Sequence, residues 1–388
     1  MATGTWTIKR CLDWTRDYLR DKGDERPRLA AEWLLSGVTG KSRTQLYMDF
    51  DEPMEPSELA AMHNAVVRRA KGEPLQYIVG HTAFRDIEVS CKPGVLIPRP
   101  ETELLVEEVL SYLDREVLGT HEAPSKAELP WNAEVQAARE EEERAQAERA
   151  AAADNPDETD PAPGDTVDME PHAFDADADT AYGGEGDAPE QTPRQDGPGP
   201  EMRTARVLEV GCGTGCISLS IAHERPGRVT CIATDIEPRA VELACENRDT
   251  LGIAPEQVDI RLGNLVSPLD RDTEWGTFDV LVSNPPYIPT SVMGTLPHEV
   301  RDFEPALALD GGDDGLGIFR RLVNAAPHML RPCGLLACEL FEGHLDQAEE
   351  ICREKGLQHV CRVNDLAGKP RIILAMAACA GPSGSETE

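Results

Sequence analysis

The chain has 388 residues, and its 71 acidic and 38 basic side chains leave a formal net charge of -33. A balance that acidic excludes a general nucleic-acid binder, which needs a basic footprint to displace counterions. The length admits two domains and a sizeable core, and no apolar run approaches the roughly 20 residues of a membrane helix.

The charge is uneven. Residues 121–200 hold 22 Asp and Glu against 5 Lys and Arg, about half of the excess. There are 11 cysteines and no Cys-x-x-Cys. They read as free, mostly buried thiols of a reducing compartment. His and Cys are not grouped at ligand spacing, so no metal site is expected. Met1 to Lys9 has no apolar signal core, and the protein is expected to be soluble and cytoplasmic.

In chain order, residues 1–72 read as a small helical domain. Ile8, Leu12, Trp14, Tyr18 and Leu19 form one stripe. Leu29 to Leu35, opened by Pro27, form a second, and Leu59, Met62, Val66 and Val67 a third. These Trp and Leu side chains are expected to be core. Residues 73–115 change character: the runs Glu73 to Gly80, Phe84 to Val89 and from Val95 onward, β-rich between turn residues, predict a hairpin, followed by a helix from Glu103 to Leu113 with Thr102 as its cap. Arg99 stands braced between Pro98 and Pro100.

Residues 116–203 lose all apolar periodicity and are rich in Glu, Asp, Ala, Pro and Gly. Such a segment buries too little to offset ordering entropy, so a largely disordered acidic insert is expected. Residues 204–378 alternate strands (205–210, 229–234, 257–262, 278–283, 334–341, 359–364, 371–377) with helices (216–224, 238–249, 315–329, 344–355). That alternation predicts a doubly wound α/β sheet of seven strands. Residues 379–388 read as a disordered tail.

Two stretches of this half carry chemistry. The first strand runs into Gly211-Cys212-Gly213-Thr214-Gly215-Cys216. The spacing departs from a dinucleotide fingerprint, but glycines still let a ligand approach the backbone. The next strand ends at Asp235, placed to accept from ribose hydroxyls. Glu209, just before the loop, is a carboxylate for an amino group. No basic phosphate clamp accompanies them. The ligand that fits is S-adenosylmethionine.

The second stretch is Asn284-Pro285-Pro286-Tyr287-Ile288, after the apolar run Phe278 to Val282. Two prolines end the strand and remove two N–H donors, so the turn offers acceptors only. The Asn284 oxygen and the Pro285 carbonyl suit the two hydrogens of a planar –NH2 group. Tyr287 offers a ring to stack on it. Asn284, Pro285 and Tyr287 are the candidate catalytic residues, and with Pro286 they form the candidate substrate site.

Together these motifs make the chain similar to the release-factor glutamine N5-methyltransferases, the PrmC/HemK family. The resemblance covers residues 1–115 and 204–378. It rests on Glu73-Pro74-Leu75-Gln76-Tyr77-Ile78-Val79-Gly80, Leu96-Ile97-Pro98-Arg99-Pro100-Glu101-Thr102-Glu103, the Gly211–Gly215 loop, the Asn284 turn and Phe303-Glu304-Pro305-Ala306-Leu307. It implies a class I methyltransferase sheet with an N-terminal helical domain, joined by a β-hairpin, that docks peptide chain release factors. It also implies methylation of the glutamine in their Gly-Gly-Gln loop, with no stable nucleic-acid or membrane partner. The cofactor residues it implies are Glu209, Gly211, Cys212, Gly213, Thr214, Gly215, Asp235, Asn264 and Asn284. The chain departs from the family at Asn264, where an Asp usually binds the adenine amino group, and in the long acidic insert. Rival readings are a glutamine methyltransferase of a ribosomal protein, an adenine-N6 DNA methyltransferase and a catalytically silent cofactor-binding scaffold.

Overall fold

The computed structural model describes residues 5–119, 203–365 and 367–379. Most of the acidic insert and most of the C-terminal tail lie outside these residues, and the expectations of disorder fall there.

The N-terminal segment forms five helices: α1 (Ile8–Asp21), α2 (Pro27–Thr39), α3 (Arg43–Met48), α4 (Pro56–Arg69) and α5 (Leu75–Val79). Local sequence sets their ends. Thr7 caps α1 by accepting from Arg10 N at 3.3 Å. Pro27 and Pro56 open α2 and α4, where a missing N–H costs nothing. Ser42 and Gln45 form a reciprocal capping box on α3. The stripes meet in one core around Leu19, Leu34, Leu35, Leu46, Met62 and Val66. Trp14 departs from expectation: it is 46% exposed and stacks on Tyr18 with ring centroids 5.1 Å apart.

The β-rich reading of Gln76 to Val79 also fails. Pro74 precedes the segment and Gly80 closes it in the left-handed region, so it forms α5, with Leu75, Ile78 and Val79 against the helical core. The hairpin begins after it, as β1 (His81–Phe84) and β2 (Ile87–Ser90). Its buried face, Phe84, Ile87 and Val89, belongs to the core of the sheet that follows.

Helix α6 spans Pro100–Tyr112, with Arg99 at its N-cap position. Thr102 therefore lies inside the first turn and is not the cap. The helix continues in a π turn, Leu113–Val117, and Leu118 beyond it is buried, so the fold reaches past residue 115.

The second half supplies nine strands: β3 (Ala205–Val210), β4 (Val229–Asp235), β5 (Val258–Leu262), β6 (Phe278–Ser283), β7 (Ile288–Pro289), β8 (Asp310–Gly312), β9 (Leu330–Glu339), β10 (Gln358–Asn364) and β11 (Pro370–Met376). Seven form one sheet in the order β10-β11-β9-β6-β3-β4-β5. Its strands β9, β6, β3, β4 and β5 run parallel, and β11 is antiparallel to both β9 and β10. Helices α7 (Cys216–Glu224), α8 (Pro238–Thr250), α9 (His298–Phe303), α10 (Gly317–Met329) and α11 (Leu345–Glu354) complete it.

Alternate strand residues face opposite layers. Val207, Val280, Val282 and Ala337 pack with residues of α6 and α7. Leu208, Leu281, Leu336 and Cys338 pack with α10 and α11. Buried on both faces, these strands read as continuous apolar runs. Strand order reverses between β3 and β6, so a crevice opens beyond their carboxyl ends, the usual ligand site of such sheets.

One cysteine pair corrects the expectation of free thiols. Cys333 and Cys379 form a disulfide, with Cα atoms 4.5 Å apart. The antiparallel ladder explains it. Leu335 pairs with Met376, and Ala377 N donates to Gly334 O at 2.8 Å, which brings the two cysteines together across the sheet end. Nine other cysteines are free, and Cys361 alone among them is exposed.

Candidate active site

A cavity of about 280 Å³ occupies the crevice. The Gly-rich loop, the end of β4, the Asn264 loop and the Asn284 turn form its walls, and the segment Gly94–Arg99 covers it. Tyr77 holds that cover by donating from its hydroxyl to Val95 O at 2.7 Å.

The loop leaves β3 sharply. Gly211, Gly213 and Gly215 have φ of 75°, 54° and 80°, which side chains rarely tolerate. Their uses differ. A Cβ on Gly211 would enter open space, and one on Gly213 would meet only Val95 at 3.9 Å, so both keep the cavity wall flat. A Cβ on Gly215 would press on Leu219 and Ala244, so this glycine serves helix packing. Cys212 is buried against Ala233 and Ala244, and Thr214 O accepts from Asn247 Nδ2 at 3.0 Å. Burial, with Glu209 and Asp235 nearby, holds the Cys212 thiol far above its usual range, so it is no nucleophile.

Asp235 ties the loop to the next strand. Its Oδ2 accepts from Gly213 N and its Oδ1 from Glu237 N, each at 2.9 Å. Burial raises its carboxyl, and these backbone N–H groups oppose the rise. Glu209 is fully buried at the cavity floor. Its Oε2 accepts from Ser218 N at 2.9 Å, and its Oε1 has no hydrogen-bond partner. Burial pushes its carboxyl up to about 8; Ser218 opposes that and Asp235 adds to it. A buried oxygen without a donor, beside glycine walls, fits a cationic amino group.

Asn264 lies on the cavity wall two residues beyond β5. Its Oδ1 already accepts from Arg321 Nη2 at 2.9 Å, an arginine that sequence reading did not single out.

The Asn284 turn follows β6 directly. Asn284, Pro285 and Pro286 line the cavity; Tyr287 does not. Asn284 Nδ2 donates to Thr102 Oγ1 at 3.0 Å. The Thr102 hydroxyl in turn donates to Glu339 Oε2 at 2.6 Å, and the Tyr287 hydroxyl meets Glu339 Oε1 at 3.4 Å. With Nδ2 engaged, Oδ1 is the Asn284 atom left for a ligand. Burial raises the Tyr287 hydroxyl well above its usual range, so it is a neutral donor.

Glycines also back this turn. A Cβ on Gly311 would sit 2.8 Å from Pro286 O and 2.6 Å from Gly315 O; one on Gly315 would sit 2.4 Å from Tyr287 O. Arg99 lines the cavity and pairs through Nη2 with Glu304 Oε1 at 2.6 Å. Glu304 is buried in the Phe303–Leu307 stretch, whose Pro305 and Leu307 line the cavity. The sequence carried signals for some of this. Asp310 to Gly317 is conspicuously rich in Gly and Asp, and Glu339 ends an apolar strand. Neither names its partner.

The doubly wound sheet with β11 reversed, the glycine loop and the acidic residues ending β3 and β4 define an S-adenosylmethionine-dependent methyltransferase of class I. Residues 10–80 match the family described as PrmC N-terminal domain, and residues 199–295 match the Methyltransferase small domain family. A "Release factor glutamine methyltransferase" of Geobacter sulfurreducens is 34% identical over 95% of this chain and 96% of its own length. Proteins of the same name from Moorella thermoacetica and Rhodopirellula baltica are 32% and 30% identical. They align over 95% of this chain and over 98% and 95% of their own lengths. The chain belongs to the release factor glutamine methyltransferase family.

Proposed function

We propose that this chain transfers a methyl group from S-adenosylmethionine to the side-chain amide nitrogen, N5, of the glutamine in the Gly-Gly-Gln loop of peptide chain release factors. Glu209 Oε1 holds the amino group of the cofactor and Asp235 its ribose, the flat wall at Gly211 and Gly213 lies along it, and Asn264 with Arg321 faces the adenine. Bound there, the cofactor supplies an electrophilic sulfonium methyl.

An amide nitrogen is a weak nucleophile because its lone pair is delocalised into the carbonyl. Positioning is therefore the main lever. Asn284 Oδ1 and the Pro285 carbonyl accept the two amide hydrogens and turn the nitrogen toward the methyl group. Near-attack alignment of this kind contributes up to roughly 7–11 kcal/mol. The amide nitrogen would take the methyl as the methyl–sulfur bond breaks, that bond's electron pair staying on the sulfur of the thioether product, and the surplus amide proton would leave to water. The N-terminal helices dock the release factor. The observation that carries this reading is the engagement of Asn284 Nδ2 by Thr102 at 3.0 Å, which leaves its oxygen for an –NH2 group.

A single-turnover assay with methyl-labelled cofactor tests it. Label should pass to a release factor and not to the same factor with its motif glutamine replaced, nor to DNA. Asn284→Ala should slow transfer far more than it weakens cofactor binding. Asn284→Asp should be as damaged as Ala: the carboxylate has no hydrogen for Thr102 and would stand opposite Glu339. Transfer to DNA, or wild-type transfer by Asn284→Ala, would refute the proposal.

A further inference from the structure

Glu339 lies outside the cavity wall, at the end of β9, and is 2% exposed. Yet it joins two residues of the Asn284 turn. Asn284 reaches it through Thr102, and Tyr287 reaches it directly. The four residues come from α6, β9 and the turn after β6, which only the folded chain brings together.

The polarity of this chain of hydrogen bonds follows from donor inventory. An ionised carboxylate only accepts, and a threonine hydroxyl has one hydrogen. When Glu339 is ionised, that hydrogen points at Glu339. Thr102 can then only accept from Asn284, so Asn284 must turn Nδ2 inward and Oδ1 toward the cavity. When Glu339 is protonated, it can donate to Thr102. The hydroxyl hydrogen is then free for Asn284 Oδ1, and the amide can turn over and present Nδ2, a donor, to the substrate. A donor there opposes an –NH2 group.

We propose that Glu339 is a positioning residue: its negative charge, relayed by Thr102, sets which atom of Asn284 faces the substrate. This rests on the reading of Asn284 given above. Burial lifts the Glu339 carboxyl to about 6, so the switch falls within an accessible pH range. The charged and titratable groups around it are Glu101 on α6, Arg371 on β11, Tyr287, and Cys216 on α7. Glu101 raises the Glu339 carboxyl; Thr102, Tyr287 and Arg371 lower it.

The test uses the full-length protein, S-adenosylmethionine and a release factor. Thr102→Val keeps the side-chain shape without the hydroxyl. It should slow single-turnover transfer by about tenfold to a hundredfold, the scale of a misplaced reacting group, and leave cofactor affinity unchanged. Thr102→Ser should restore most of the rate. With cofactor saturating at every pH, wild-type transfer should fall on acidification with a midpoint near pH 6, and Glu339→Gln should be slow at all pH values and lack that limb. Wild-type transfer by Thr102→Val, or an unchanged acid limb in Glu339→Gln, would overturn the proposal. A second readout needs no substrate. In protein labelled with ¹⁵N-asparagine, the Asn284 side-chain resonances should shift across the same pH interval, and not in Glu339→Gln. A pH-independent Asn284 signal in the wild type would overturn the inference even if the release factor proved not to be the substrate; failure of the release factor alone would refute only the proposed function.

Discussion

On the proposed function, in which Glu209 holds the cofactor's amino group, cofactor binding is proton-linked. Glu209 is fully buried, its Oε1 has no partner, and burial pushes its carboxyl up to about 8. At pH 7 about one empty site in ten therefore holds the carboxylate, and ionising the rest costs about 1.4 kcal/mol. A charge-assisted hydrogen bond to the cofactor's ammonium returns about 1.5–3 kcal/mol, a net gain of about 0–1.6 kcal/mol at that pH. The same hydrogen bond brings the carboxyl back toward its usual range in the complex, so each binding event at pH 7 should release about half to nine-tenths of a proton, and affinity should rise about three- to sevenfold per pH unit there. Titration calorimetry in buffers of different ionisation heat measures that release. Glu209→Gln should abolish the release and flatten the pH dependence, with only a modest affinity loss at pH 7. The sign for stability is opposite to that of an ion-paired carboxylate. Because the folded pKa is raised, the contribution is present below the unfolded value and is lost as pH rises toward 8. The cofactor-free wild type should thus lose melting temperature relative to Glu209→Gln over that range. Proton release near zero in the wild type at pH 6–7 would refute the reasoning.

Asp235→Ala should weaken cofactor affinity by about 1.5–3 kcal/mol, the scale of a charge-assisted partner; unchanged affinity by calorimetry would count against its role. Gly311→Ala should lower both transfer and melting temperature, because its Cβ would sit 2.8 Å from Pro286 O and 2.6 Å from Gly315 O, both rigid backbone atoms; a wild-type melting curve would contradict that. Replacing residues 121–200 with a short linker should leave soluble expression and methyl transfer largely intact, since every residue of the proposed site lies outside that stretch; a large loss in the transfer assay would show otherwise.

Much of the fold was legible because its signals are local. The central strands β3, β4 and β6 are short, largely apolar runs, and the helix Cys216–Glu224 begins where the glycine loop ends. Proline and glycine punctuate the N-terminal helices. The Asn284 turn announces itself because two prolines must stop a strand. Locality also explains the misses. Gln76 to Val79 has β-forming side chains, but Pro74, Gly80 and the neighbouring helical core decide for a helix. Trp14 reads as part of the first stripe, but at about 100° per residue it lies roughly 140–160° around α1 from Leu12 and Leu19 and so stands at the surface.

What the sequence by itself determined is the chemistry available: an acceptor-only turn at a strand end, a glycine loop, and carboxylates at the ends of two strands. What only the tertiary structure decided is how those groups are oriented. Thr102 reads from sequence as a helix cap, and Glu339 as the end of an apolar strand. Packing α6 against the sheet sets the first between Asn284 and the second, 237 residues away in the chain. Disulfide pairing of Cys333 with Cys379 likewise depends on strand register. Hydrogen-bond direction, burial of a charge and register are properties of pairs, and a pair distant in sequence is defined only once the chain has folded.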